Sequence, residues 1–400
     1  ASEVIEIWYD DGTIQGVSGS LAADTTFAAS GGPYLVTEDL TVPAGVTLTV
    51  DPGTSIYFAA GSRLTVEGTL VAEGTFFNPI HLTRDPASPA GWEGVYFSSS
   101  GTENRMVHVE QAYSSAGAQS VDVNSSRVTL DRVRWSGTTG STLAVNHPQL
   151  VVTQCDFPPA IGQDVIHGAN LGGSDYFQIH RCQFSSSSGE NDIIAFSGGR
   201  RPGPILSVTG NTFDGATDDC LDLDGADAHI EGNIFRGVHT DGVLRPGTSN
   251  AIVGDGDAHL TIVRNIFDDI DHALLLLNDA DAVFENNVVA NASLGAISFN
   301  EPLLTVGAGS GVFARGNIFF NNTSNFLHPA HLDGSGNPPD IVADLNILPV
   351  VDHVYGPGNL DVDPGFIDEI NDDFGLLPGS PARRSGINGN DMGYDVPEGA

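Results

Sequence analysis

One short element recurs along the chain and limits what it can fold into. It reads Thr209-Gly210-Asn211-Thr212-Phe213, then Glu231-Gly232-Asn233-Ile234-Phe235, then Val263-Arg264-Asn265-Ile266-Phe267. It returns as Glu285-Asn286-Asn287-Val288-Val289 and Arg315-Gly316-Asn317-Ile318-Phe319. Upstream, cysteine takes the Asn place in Gln154-Cys155-Asp156-Phe157 and Arg181-Cys182-Gln183-Phe184. Anchors at Tyr113, Trp135, Phe157, Phe184, Phe213, Phe235, Phe267, Val289 and Phe319 are spaced 22, 22, 27, 29, 22, 32, 22 and 30 residues. The spacing is therefore 22 residues with insertions, and a fixed period of this size marks a solenoid.

Short β-prone runs separated by Gly and Asx fill each repeat. Long 3.6-periodic stretches are absent, and so is the Leu pattern of a leucine-rich repeat. The expected fold is all-β: a single-stranded right-handed parallel β-helix (solenoid) of about 11–13 coils with N- and C-terminal caps. Residues 1–35 read as the N-terminal cap, 36–360 as the helix, and 361–400 as a capping coil and tail closing over the core. The repeated Asn is expected in the left-handed backbone of a tight turn, with its amide bonding from coil to coil. The Phe after it is expected to point inward and stack. Phe76-Phe77 and Phe319-Phe320 read as core, and Trp92 as structural.

Composition narrows function. The 400 residues carry 51 acidic and 15 basic side chains, a formal net charge of −36, and every basic residue is Arg. A nucleic-acid binder needs a basic stripe, so nucleic acid is excluded as a partner. Lysine-based nucleophiles and phosphate loops are excluded outright. No apolar run reaches 18 residues, so no membrane-spanning helix is expected. Cys155, Cys182 and Cys220 show neither paired clustering nor zinc spacing. The acidic balance, the absence of Lys and the Asx-rich turns suit a secreted, extracellular or cell-surface protein in a calcium- or salt-containing medium.

The segment from Gly45 to Phe97, the Asn-x-Phe coils, and the closing Asp363-Pro364-Gly365-Phe366 and Pro378-Gly379-Ser380-Pro381-Ala382 resemble secreted bacterial right-handed β-helix repeat proteins, the pectate-lyase-like superfamily. The resemblance implies the fold and leaves function open, because that fold hosts lyases, hydrolases, adhesins and inert surface domains.

Aligning strand starts places Asp164, Asp192, Asp219, Asp241 and Asp271 in one row, about 4.8 Å apart from coil to coil. Turn capping explains such a row, and so does a cation site. The densest titratable patch is Asp218, Asp219, Asp222, Asp224, His239, Asp241 and Arg245, which makes it the candidate active site, with Asp192 of the preceding coil as a further candidate catalytic residue. Asp218-Asp219-Cys220 resembles the Asp-Asp-Cys element of polygalacturonase-type glycoside hydrolases, with Asn191-Asp192 where that family has Asn-Thr-Asp. The chain departs from that family in having Thr240 after His239 and in lacking its Arg-x-Lys clamp. A calcium-dependent lyase would instead use Arg245 as base, with Asp222, Asp224 and Asp241 holding Ca2+.

A second acidic set, Asp224, Asp227, Asp255, Asp257, Asp279 and Asp281, lies in Asp-Gly-x-Asp-type turns whose oxygen ligands suit Ca2+. His328 and His331 lie in a Gly/Pro loop without a preorganised scaffold. The leading expectation is a non-catalytic β-helix binding calcium and polysaccharide or cell-surface matrix, with self-association as a further partner mode. A polysaccharide lyase or glycoside hydrolase is the alternative.

Overall fold

The computed structural model describes residues 14–114, 119–189, 191–241, 249–301 and 306–394. The chain is a right-handed parallel β-solenoid of about 12 turns. It divides into two compact units, Ala1–Pro158 and Pro159–Ala400. Among the described residues, no helix is long and apolar enough to cross a membrane.

In the first unit, strands Thr25–Phe27, Thr47–Val50, Thr69–Glu73, Glu103–Val107, Arg127–Asp131 and Gln149–Thr153 stack in parallel. The strand Gln15–Ser20 pairs in parallel with Tyr34–Val42, so coil stacking already includes part of the segment read as a cap. Trp92 is fully buried, stacks on Phe58 at 3.8 Å and donates its indole N–H to Ala112 O at 2.8 Å. Its structural role stands. The anchor expected at Tyr113 lies instead at Gln111, which is in register with Trp135 and accepts the Trp135 indole N–H at 3.1 Å. Tyr113 has positive φ and lies under the Arg84 guanidinium, 3.7 Å from its ring centre.

Coils of the second unit are built from three strands, two of which fuse into one in Ile266–Leu276 and again in Val288–Ser298. One coil runs through Leu206–Thr209, Thr212–Ala216 and Leu221–Asp224. Alternation buries Leu206, Val208, Phe213, Leu221 and Leu223 and leaves their neighbours outside. Phe184, Phe213, Phe235 and Phe267 stack face to face at 4.7, 4.7 and 5.0 Å, within 4° of parallel. Each buried ring contributes about 1.5–3 kcal/mol by leaving water, and stacking adds to that. Val289 breaks the aromatic row, and Phe284 fills the gap from the opposite sheet, 5.8 Å from Phe267 and 6.3 Å from Phe319.

The Asn ladder is present, with one correction. Positive φ falls on the preceding residue, at Gln154, Arg181, Gly210, Gly232, Arg264, Asn286 and Gly316, and not on the repeated Asn. The Asn side chain is turned inward and buried. Asn233 Oδ1 accepts the Asn211 backbone N–H at 2.9 Å, Asn265 serves Asn233 at 2.9 Å, and Asn287 serves Asn265 at 2.8 Å. The ladder runs on through Asn317 and Asn346 to Asn359. It satisfies turn N–H groups that no strand ladder reaches. In the first unit Cys155 Sγ does the same for Val133 N–H at 3.4 Å. All three cysteines are buried, and none forms a disulfide.

The C-terminal segment also differs from expectation. It does not form a last coil over the core. Phe366, Phe374, Leu376, Ala382 and Met392 pack on Ile266, Val288, Ile318 and Ile347. These four alternate with the inward Phe267, Val289 and Phe319, so the segment covers the outer face of the sheet.

Candidate active site

The strand Leu221–Asp224 lies between Ile194–Ser197 and Asn250–Asp255 in unbroken register, with Ala195, Asp222 and Val253 side by side. Ile194, Leu221 and Ile252 point inward, so Asp222 faces out.

At the strand entry the expected row is shorter than five. Asp164 Oδ1 accepts the Asp192 backbone N–H at 3.1 Å, and Asp192 Oδ1 accepts that of Asp219 at 3.3 Å. Asp219 Oδ1 accepts the Asn250 N–H at 2.9 Å and its Nδ2 at 2.8 Å. The next place therefore belongs to Asn250, not Asp241. Asp241 lies in an insertion before the strand, and alignment on Asp-Gly-Val mistook that insertion for the strand start. Asp271 is one residue off the row, because His272 is in register with Asn250. Asp271 instead accepts from His239 Nδ1 at 2.9 Å, Thr240 N–H at 3.0 Å and Ser293 Oγ at 2.7 Å. His239 Nε2 reaches Asp269 at 3.0 Å. Partial burial opposes charging of His239, but its two carboxylate bonds prevail and raise its pKa. Arg245 lies outside the described residues.

Asp192, Asp218 and Asp219 converge, each offering a carboxylate oxygen within 4.8 Å of the others. Among the described residues, no other three His, Cys, Asp or Glu side chains come together in this way. Withdrawal from water pushes Asp192 up to about 8, and the carboxylates of Asp222, Asp218 and Asp164 push the same way. Burial also raises Asp219 well above the usual range, with Asp192, Asp218 and Asp222 adding to it. Asp222 rises to about 6 through burial and its neighbours Asp224 and Asp255. The buried Cys220 thiol is pushed up as well and stays protonated. Burial drives His272 down to about 4, so it is neutral. A cleft of about 440 Å³ is lined by Ala216, Thr217, Arg236, His239 and Asp268, and by none of Asp192, Asp218, Asp219 and Asp222.

The second acidic set does not converge. Asp257 is paired with Arg200 at 2.9 Å, and Asp227 accepts the Arg201 N–H at 2.8 Å and the His259 N–H at 2.9 Å. Asp281 meets His259 Nδ1 at 2.7 Å, and Asp279 accepts the Gly334 N–H at 2.8 Å. Asp255 accepts from Asn278 Nδ2 at 2.7 Å and is in register with Asp224. Arg200 and Arg201 thus stand beside the carboxylates of Asp257 and Asp227.

Sequence reasoning missed Asn250. Its only signal is the alternating Asn250-Ala251-Ile252-Val253 that follows the insertion.

No family model matches the chain, and no curated protein sequence matches it. Among solved structures it is similar to a PL6 family alginate lyase, AlyGC, at 13% identity and a TM-score of 0.39, covering 91% of this chain and 54% of that one. It is also similar to tailspike protein 3 of bacteriophage CBA120, at 13% identity and a TM-score of 0.34, covering 77% of this chain and 54% of that one. The chain spans about half the length of either. Likeness at this level bears on neither substrate nor chemistry.

Proposed function

We propose that the chain is a glycoside hydrolase acting on an uncharged polysaccharide, with Asp192, Asp218, Asp219 and Asp222 as its catalytic carboxyls. The observation that carries this reading is the replacement along the strand-entry row. Asn250 occupies the place one coil after Asp219, and an Asn side chain can satisfy the same kind of backbone N–H without charge. Keeping Asp at 192 and 219 brings buried like charges together, which is a cost to the fold. Chemistry that needs a carboxyl held protonated near an ionised one, Asp192 near Asp222, accounts for that cost.

Asp192, with a pKa of about 8, is a carboxylic acid at neutral pH and donates its proton to the glycosidic oxygen as the C–O bond breaks. Asp222, at about 6, is mostly ionised and accepts a proton from the water whose oxygen bonds to the anomeric carbon. Asp219 is fixed by its two bonds from Asn250, and Asp218 adds the repulsion that keeps a proton on its neighbours. The charges acting on Asp192 are carboxylates, which disfavours a uronate at the same spot. An uncharged chain meets no such repulsion.

Reducing-end release tests this on xyloglucan, galactomannan, arabinan and mixed-linkage glucan. Turnover on at least one, lost in Asp192→Asn, is expected. Absence of turnover, or turnover undiminished by that substitution, overturns it.

The convergence of three carboxylate oxygens favours a second reading, Ca2+ at Asp192, Asp218 and Asp219. Calcium there would serve polysaccharide binding without hydrolysis. The two readings separate on calcium itself, which inhibits the hydrolase by displacing the catalytic proton and strengthens binding in the other case.

A further inference from the structure

The first unit carries two aromatic rings that the core does not use. Phe76 and Phe77 were expected inside, yet they are 70% and 86% exposed. The reason is local. Thr75 and Asn78 exchange backbone N–H bonds at 3.0 and 3.1 Å, and Asn78 N–H also reaches Thr75 Oγ1 at 3.1 Å. The two Phe residues therefore form the tip of a tight reverse turn, held edge to face with ring centres 5.0 Å apart. Exposed aromatic pairs on a fixed turn mark an interaction surface.

Phe76 lines a cleft of about 480 Å³, within the size range of ligand sites. The facing wall is built by coil stacking. His108, Arg132 and Gln154 hold the same left-handed turn position in successive coils, with φ of 46°, 54° and 53°. Two residues further along each coil, Glu110, Arg134 and Asp156 stand in register on adjacent strands. Arg134 Nε meets Asp156 Oδ2 at 2.7 Å, and Arg132 Nη1 meets Asp131 Oδ2 at 2.8 Å.

The charge balance of this cleft is its second distinguishing feature. In a chain of net charge −36, its two arginines are matched by Asp156 and Asp131, and Glu110 meets His81 Nδ1 at 3.1 Å. Both guanidinium groups already have carboxylate partners, so neither is held in reserve for an anion. What remains is a wall of planar donors and acceptors opposite an apolar ring. That combination suits a ligand with one aliphatic face and a rim of hydroxyls, such as an uncharged pyranose ring. Its C–H face would lie on Phe76, with its hydroxyls within reach of Arg134, Asp156, Gln154 and Glu110.

We infer that this cleft is a polysaccharide-binding subsite for uncharged glycan chains, seated on Phe76 and the Glu110–Arg134–Asp156 wall. It stands independently of the chemistry at Asp192.

Native electrophoresis of the full chain through gels containing xyloglucan, galactomannan or mixed-linkage glucan tests it, with alginate and polygalacturonate gels alongside. Retardation by at least one uncharged polysaccharide is expected, with apparent affinity falling about tenfold in Phe76→Ala, the size of a lost ring-stacking contact. Arg134→Ala should weaken binding comparably, and Asp257→Asn, at an exposed carboxylate of the second unit, should bind as the parent does. The exposed Phe76 leaves the fold intact on substitution, and an unchanged melting temperature verifies this. The inference is overturned by absence of retardation, by retardation on the charged polymers alone, or by Phe76→Ala binding as tightly as the parent. Loss of binding in Asp257→Asn but not in Phe76→Ala also overturns it.

Discussion

The backbone N–H of Asp219 donates to Oδ1 of Asp192 one coil away, at 3.3 Å. A carboxylate is thus used where an amide would hold the same bond, and this relationship sets the first prediction. Asp192→Asn keeps the acceptor and removes the charge. It should lower kcat by about 10²–10⁴, the usual contribution of a general acid. It should also raise stability at neutral pH. The folded pKa of Asp192 is about 8, against an unfolded value near 3.8. Between these values the folded state holds a proton that the unfolded state has lost, so the parent loses stability as pH rises, by up to about 1.4 kcal/mol per pH unit. The variant escapes that loss. Melting curves of the two should coincide near pH 4 and separate progressively to pH 8, with the variant higher by about 2–4 °C per kcal/mol. A variant that melts lower at pH 8 contradicts the electrostatic account.

The same pair of carboxyls fixes a rate profile. Asp222 must be ionised, giving a rising limb near pH 6, and Asp192 must be protonated, giving a falling limb near pH 8. A bell-shaped kcat/KM profile with its maximum between these values is expected for the free enzyme. The two limbs belong to a coupled set, so each reports the cluster as well as its named residue. Asp222→Asn should abolish the acidic limb along with most of the activity. A profile flat from pH 5 to 9 would exclude this assignment.

On the calcium reading, the ion would compete with protons at the three converging carboxylates. Millimolar Ca2+ should therefore raise the melting temperature more at pH 8 than at pH 6, because fewer protons must leave. Asp218→Asn should remove the gain. Asp257→Asn should leave it unchanged, since Arg200 already neutralises Asp257. Superimposed curves with calcium and with chelator would eliminate a cation site at Asp192, Asp218 and Asp219.

Much of this molecule was legible in the sequence because one residue per coil repeats for a physical reason. Asn211, Asn233 and Asn265 stand out at fixed spacing, and Phe213, Phe235 and Phe267 follow two residues on. A parallel stack then brings like residues together. What was misplaced depended on insertions and on turn geometry. Asp241 lies in the insertion ahead of the paired strand, which begins at Asn250, and Asn250 went unseen. The left-handed residue is the one before each Asn, because the buried amide needs ordinary φ to point inward. Phe76 and Phe77 looked apolar enough for the core. The Thr75–Asn78 turn holds them out, and no composition rule foresees that.

The buried amide ladder gives the last prediction. Asn265 Oδ1 accepts both the backbone N–H and the Nδ2 of Asn233, each at 2.9 Å. Its own Nδ2 donates to Ile230 O at 3.0 Å and to Asn287 Oδ1 at 3.0 Å. It is fully buried. Asn265→Ala would leave the Asn233 N–H without its side-chain acceptor, take one donor from the Ile230 carbonyl and open a void between coils. A single buried polar group left unsatisfied costs about 1–3 kcal/mol, and the void adds to it. Asn265→Ala should therefore destabilise by about 3–5 kcal/mol, near the upper end for single substitutions. Asn265→Asp should cost less at pH 4 than at pH 8. A protonated carboxyl keeps an acceptor for Asn233 and a single donor, whereas the ionised form buries an unpaired charge. Urea unfolding of the three proteins at both pH values measures this. Equal stability of Asn265→Ala and the parent would mean that strand pairing alone holds the turn, and that the ladder is a consequence of stacking and not a cause.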